Sequence, residues 1–224
     1  MARLNSAGSG AGPPATVANY VTEAIRSGIL DGRYPLGSRL DQQLLAEELG
    51  ASIIPVRETL RQLEAEGLVQ IAPRRGAFVV KLSDDEVREV YRLRAVLEAF
   101  ATREAVPAVT DGDLDEMDDL LTDLDRIGQK GADEKWARIN RSWHFKLYSA
   151  AESPLLLQFI SALWDRCRMS SHTYVRDAGH CTKSQEDHLK IMAAVRARDA
   201  DLAADLIAQH VADAMNDLLG GDSA

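Results

Sequence analysis

Cysteine is almost absent from this chain. Cys167 and Cys181 are the only two and form no CxxC pair, which argues against a disulfide framework or a cysteine metal site and reads as two free thiols. No run of about eighteen apolar residues occurs, and the N-terminus lacks a basic segment followed by an apolar stretch and a cleavage site, so a soluble, cytoplasmic protein is expected. Aromatic residues are only 5% of the chain, while Ala, Leu, Asp and Arg are many, a composition that favours helices. Positive charge is also in deficit, with a formal net charge of −9.

That deficit is uneven. Residues 1–81 hold nine Lys and Arg against eight Asp and Glu, whereas residues 82–224 hold seventeen against twenty-seven. An acidic half repels polyanions over about a Debye length, roughly 8 Å in physiological salt, so the two halves read as separate domains with different tasks. With 224 residues the chain can bury a good core in each.

The most informative stretch of the first half is residues 52–67. Ser52 is a suitable N-cap, Pro55 falls in the first turn where a missing N–H costs little, and Val56, Leu60 and Leu63 make a buried stripe at helical spacing. Ile53, Arg57 and Arg61 stand four apart on another face, which looks outward. Upstream, Asp41 can cap a helix from Gln42 to Leu49 that Gly50 ends. Downstream, residues 68–71 and 77–80 are strand-like runs around the basic tip Ala72-Pro73-Arg74-Arg75-Gly76. Helix, turn, helix and basic wing together form a DNA-docking arrangement.

Residues 43–80 resemble the winged helix of the GntR family of bacterial transcription regulators, through Pro55-Val56-Arg57-Glu58, Leu63-Glu64-Ala65-Glu66-Gly67-Leu68-Val69 and Pro73-Arg74-Arg75-Gly76-Ala77-Phe78-Val79. The chain departs from the family pattern at Ile53 and Ile54, where many members carry Arg and Thr, and at Gln43, where Arg is common. The resemblance implies that Gln43, Ser52, Ile53, Ile54, Arg57, Arg61, Arg74, Arg75 and Gly76 lie against DNA.

Residues 1–14, rich in Gly and Pro, read as a tail, and residues 15–81 as the winged helix, with a first helix after Thr16 and a third strand at Arg39-Leu40. Ser83 and Glu86 form a capping box at the start of a long helix over 84–105. Further helices are expected over 113–127, from Asp133 to Ala151, from Pro154 towards Val175, over 184–197 and from Asp199 or Ala200 to Leu219, with a loop at 176–183 and a short tail at 220–224. The fold class is therefore mostly α, a winged helix-turn-helix followed by an antiparallel all-α bundle.

His188 lies eleven residues before Asp199 and His210 eleven after it, so an antiparallel hairpin centred there sets both about 16 Å from the bend, at ~1.5 Å per residue. His144 shares a helix face with Asn140 one turn earlier. Three imidazoles and an amide oxygen make an open site of the kind that binds zinc or another divalent first-row ion, although histidines on apolar helices also serve as hydrogen-bonded core residues.

Residues 84–219 resemble the FCD ligand-binding domain of the FadR branch of that family, through Arg94 with Leu97-Glu98, the Asn140 to Phe145 segment, Glu186 with His188, and His210. Many such domains hold a divalent metal with one Asp and three His and bind a small organic acid against it. The resemblance implies metal ligands at His144, His188 and His210, with Asn140 in the place of the Asp, and zinc, nickel or manganese as the ion. Arg94, with Glu98 and Arg168 beside it, is the candidate for an effector carboxylate, because a guanidinium fork matches a carboxylate. The bland reading of Arg94 is an i,i+4 ion pair with Glu98 that braces the bundle.

These readings point to a regulator, not an enzyme: a repressor that binds an inverted-repeat operator in double-stranded DNA as a homodimer, controlled by a small carboxylate effector. A metal-dependent hydrolase using the three histidines, or a protein-binding adaptor using the acidic helix at 113–125, are the alternatives.

Overall fold

The computed structural model describes residues 17–129, 134–171 and 178–220, with side chains outside 168–180. The N-terminal part is built on one core. Helix α1 (Val17–Leu30) buries Val21, Ile25 and Ile29 against α3 (Ile53–Ala65), which buries Val56, Leu60 and Leu63. A hydrogen bond of 2.9 Å joins the Thr22 and Thr59 hydroxyls inside that contact. Helix α2 (Gln42–Glu48) is capped by the Asp41 carboxylate, which accepts from the amides of Gln43 and Leu44. Gly50 follows in the left-handed region at φ +60°, as a helix terminator should.

Ser52 occupies the N-cap position of α3, but its side chain makes no capping hydrogen bond. Pro55 narrows the choice of donor. It stands at the third helical position, whose N–H is one of the two donors that an N-cap oxygen can take, and proline has none. The wing is a three-stranded antiparallel sheet in the order β1 (Arg39–Leu40), β3 (Gly76–Val79), β2 (Val69–Ala72), with Arg39 opposite Phe78 and Ala72 opposite Gly76. Arg74 at φ +62° turns the tip.

The C-terminal part is helical throughout its described residues. Helix α4 (Asp84–Ala105) starts at the Ser83/Glu86 capping box and packs against α9 (Ala200–Leu218) and α7 (Pro154–Ser171). Helices α5 (Asp111–Gly128) and α6 (Glu134–Ser149) pack together, and α8 (Ala178–Arg196) lies on α5 and α9. Trp143, Leu147, Tyr148, Ile160, Ile191 and Ile207 are sealed in the core between them. No helix among the described residues is long and apolar enough to cross a membrane.

Two elements differ from the sequence expectation. Helix α5 begins at Asp111, two residues early, because Thr110 and Asp113 form a second capping box. Helix α8 begins at Ala178, not at Ser184, so the segment read as a loop is largely helical. Its sequence is a poor helix former, but Cys181 and Ser184 are buried and Gln185 donates to the Leu121 carbonyl at 3.1 Å. Packing on α5 overrides local propensity there. The expected cap at Asp133 lies outside the described residues.

The winged helix meets the bundle along α1 and α7. Gly67, left-handed at φ +76°, lies under the guanidinium of Arg166, and a Cβ there would stand 3.2 Å from Arg166 Cζ. Any other residue would meet both strain and crowding at this seam. Nearby, Arg26 pairs through both terminal nitrogens with the Glu66 carboxylate, and a cleft of about 230 Å³ opens between that pair and Asp165 of α7.

Candidate metal centre and DNA-reading surface

Three helices deliver one histidine each to the middle of the bundle. His144 comes from α6, His188 from α8 and His210 from α9. All three are buried, at 1%, 0% and 8% exposure, and one ring nitrogen of each lies within 4.8 Å of the others. His144 Nε2 and His188 Nε2 are 3.3 Å apart. Nitrogens bound to one ion at about 2.1 Å sit roughly 3.4 Å from each other, so a divalent cation needs the cluster to draw in slightly.

Around the rings the packing is aromatic and polar. Trp143 lies 4.3 Å from His188 between ring centroids, and Trp164 lies 5.2 Å from His144. His144 Nδ1 is 3.0 Å from the Tyr148 hydroxyl, which donates to Glu98 Oε2 at 2.7 Å. Burial, and then the Glu98 carboxylate, hold the Tyr148 phenol well above its ordinary value, so it keeps the proton it donates. Burial, followed by the neighbouring His188, His210 and Arg94, pushes His144 well below the ordinary imidazole range. His144 is therefore neutral at pH 7, the form that coordinates a metal.

His210 Nδ1 faces Asp187 Oδ2 at 3.5 Å, and Asp187 also takes a 3.0 Å contact from Lys190. The hydrogen bond to His210, opposed by partial burial, holds the Asp187 carboxyl below its usual range. A narrow opening beside His210 is lined by Asp187, Asp213 and Asp217, with Lys183 bridging the last two.

The donors suit a divalent ion. Asn140 Oδ1, one turn before His144 on α6, is buried without a hydrogen-bond partner among the described residues. A buried amide oxygen in that state costs free energy unless something takes its lone pairs, and a cation would. Three imidazoles with one carbonyl oxygen match the borderline softness of zinc or nickel.

Arg94 sits differently from a free anion receptor. Its Nε donates to Glu98 Oε1 at 2.7 Å, and its Cζ lies 4.2 Å over Trp164 and 5.0 Å over Tyr91. Trp164 Nε1 donates to the same Glu98 oxygen at 2.9 Å. Glu98, at 0% exposure, is thus the hub of a buried network reaching from Arg94 to His144. The Arg168 side chain lies outside those described.

The second surface is the outward face of α2, α3 and the wing. Gln43, Ser52, Ile53, Ile54, Arg57 and Arg61 are all exposed, Ile54 at 69%, and Arg57 reaches Gln42 Oε1 at 3.5 Å. Arg74 and Arg75 are exposed at the tip, Arg75 with its Cζ 5.9 Å over Phe78, and Gly76 is half-buried below them. Large apolar side chains left in water at a helix start, beside four guanidiniums, mark a surface that something covers.

The sequence reading missed several contributors. Leu44, 65% exposed on α2, extends the apolar part of this face, and Arg39 from β1 lies over Gly76, 3.1 Å from where a Cβ would stand. Arg39 thereby joins the wing cations. Around the histidine cluster Tyr148, Trp164 and Asp187 were missed. Tyr148 had a signal, being four residues after His144 on one helix face, and Asp187 is level with His210 across the same hairpin that aligns His188.

Comparison with known proteins agrees with this division. Residues 17–79 match the family model of bacterial regulatory proteins of the gntR family, and residues 89–213 match the FCD domain. The chain is 32% identical over 168 residues to the HTH-type transcriptional regulator McbR of Escherichia coli strain K12, covering 74% of this chain and 76% of that protein. It is 30% identical to a probable D-xylose utilization operon transcriptional repressor of Paenarthrobacter nicotinovorans, over 88% of this chain and 86% of that one. Among solved structures, E. coli McbR/YncC superposes with a TM-score of 0.81 at 26% identity, covering 92% of this chain and 98% of the other.

Proposed function

Because this chain belongs to the gntR family of bacterial transcription regulators and carries an FCD domain behind its winged helix, we propose that it is a repressor whose operator binding is controlled by a small organic acid held in the helical bundle. The observation that carries this reading is the buried three-histidine cluster, packed in the same chain as an exposed helix-turn-helix face. A repressor among the relatives supports the direction of control. His144, His188, His210 and Asn140 would hold a divalent ion, which when bound supplies a positive charge for the acid's carboxylate. The relatives regulate transcription, which leaves a hydrolase without support.

Helix α6 links the two surfaces. It carries His144 into the cluster and Asn140 one turn earlier, while Arg141 between them grips Asp165 at 2.5 Å and Ser161 at 2.7 Å on α7. The next residue, Arg166, lies over Gly67 at the end of α3. An effector that binds one placement of α6 better than another therefore biases the reading head through a single intervening helix.

Operators of this kind are read by two heads, and α4 offers a surface for pairing. Leu93, Val96 and Phe100 are 49%, 68% and 50% exposed along one side of it, and Leu155 and Phe159 are exposed on the adjacent α7. A second copy of the chain covers these residues in the homodimer proposed here, and twofold symmetry makes the operator an inverted repeat.

Electrophoretic shift of the DNA upstream of its own gene tests the reading. Arg57→Ala is expected to weaken operator binding by about 1–3 kcal/mol and relax sequence preference, since a guanidinium facing the major groove reads guanine edges. Arg75→Ala is expected to weaken all sequences alike and to lower the slope of log affinity against log salt by about one phosphate contact. Arg57→Ala bound as tightly as wild type would rule out the docking face. No shift at low salt would favour the adaptor.

A further inference from the structure

One turn before His144 stands the neutral amide of Asn140, while two carboxylates stand behind the rings, Asp187 directly against His210 and Glu98 one step further back through Tyr148. Glu98 accepts the Tyr148 proton, so the Tyr148 oxygen is left to accept from His144 Nδ1. That fixes His144 with its proton on Nδ1 and its lone pair on Nε2, the nitrogen 3.3 Å from His188. Asp187, facing His210 Nδ1, imposes the same tautomer on the third ring. Outer carboxylates of this kind orient metal-bound imidazoles and raise their basicity.

We propose that Glu98 and Asp187 are positioning residues for a divalent-cation site. Glu98 acts through Tyr148 on His144, and Asp187 acts directly on His210, so that both rings present Nε2 lone pairs in the metal-free protein. This rests on the metal reading above and adds to it where the negative charge resides: behind the histidines instead of at Asn140. Glu98 consequently serves the ion and not the effector. His188 is the ring that would have to change: with His144 Nε2 unprotonated the 3.3 Å contact makes His188 the donor from Nε2, and to offer a lone pair there it would have to carry its proton on Nδ1 instead.

Two variants separate the arms without breaking the buried Arg94–Glu98 pair. Tyr148→Phe cuts the link from Glu98 to His144, and Asp187→Asn removes the charge behind His210. Nitrogen-15 spectra of the imidazoles in metal-free, full-length protein are expected to show Nδ1–H tautomers at His144 and His210, with His144 losing that preference in Tyr148→Phe. Zinc affinity, measured by competition with a chromophoric chelator, is expected to fall about 10- to 100-fold in each variant. Nε2–H tautomers at His144 and His210 in the wild type, or zinc affinities within twofold of wild type in both variants, would overturn the proposal. If the wild type takes up no zinc, the metal reading fails, and the tautomers alone then decide whether the carboxylates set the rings.

Discussion

Arg94→Ala is expected to destabilise the protein by roughly 3–5 kcal/mol, because it leaves the Glu98 carboxylate buried without its cation. Arg94 is 6% exposed and Glu98 0%, and their 2.7 Å contact is flanked by the Trp164 and Tyr91 rings. Burial alone would pull the guanidinium pKa down, but the Glu98 charge more than offsets this and holds it above its ordinary value. Tyr148 and Trp164 would still donate to Glu98 after the substitution, yet neither carries charge. Urea unfolding measures the loss directly, and at about 2–4 °C per kcal/mol for a chain of this size it should also appear in Tm. Combining Arg94→Met with Glu98→Gln should recover much of the loss, as removal of both charges usually does. An Arg94→Ala protein that melts like the wild type but no longer responds to organic acids would reverse the assignment, making Arg94 an effector ligand instead of a brace.

His188→Ala is expected to abolish stoichiometric metal binding. Untagged protein purified without chelator should carry about one zinc, nickel or manganese ion per chain by elemental analysis, and the variant less than about a tenth of that. His188 is the central member of the cluster, with one nitrogen 3.3 Å from His144 and its ring centroid 4.9 Å from that of His210. Its loss leaves two imidazoles and an amide, too few strong donors to hold a borderline ion against competing chelators. Absence of metal from the wild type, even after metal is added back, would show that the three rings line a polar cavity that takes the effector unaided. Asn140→Asp offers a complementary gain: a carboxylate in place of the buried, unpartnered amide oxygen should tighten zinc binding.

Much of the architecture could be read from local pattern. The stripe of Val56, Leu60 and Leu63, the caps at Asp41 and Ser83, and the turn around Arg74 are encoded within a few residues, and the structure places each of them in the expected element. Local reading failed where the deciding partner is distant in sequence or changes the donor count. Helix α8 starts early because α5 supplies a surface for Cys181 and Gln185, which no window over 176–183 contains. Ser52 holds the cap position without the cap bond, Pro55 having deleted one of the two donors open to it.

The sequence by itself determined the family, the exposed guanidiniums of α3 and the wing, and the level placement of His188 and His210 on one helical hairpin. Helical period and turn chemistry are local, and a hairpin's register follows from counting residues from its bend. Only the tertiary structure decided that Arg94 is spent on Glu98, that Glu98 reaches His144 through Tyr148, and that Arg166 rests on Gly67. The contacts of Glu98 with Tyr148 and with Trp164 join residues 50 and 66 apart in sequence, and which side chains meet there depends on how whole helices pack, a property that no single segment carries.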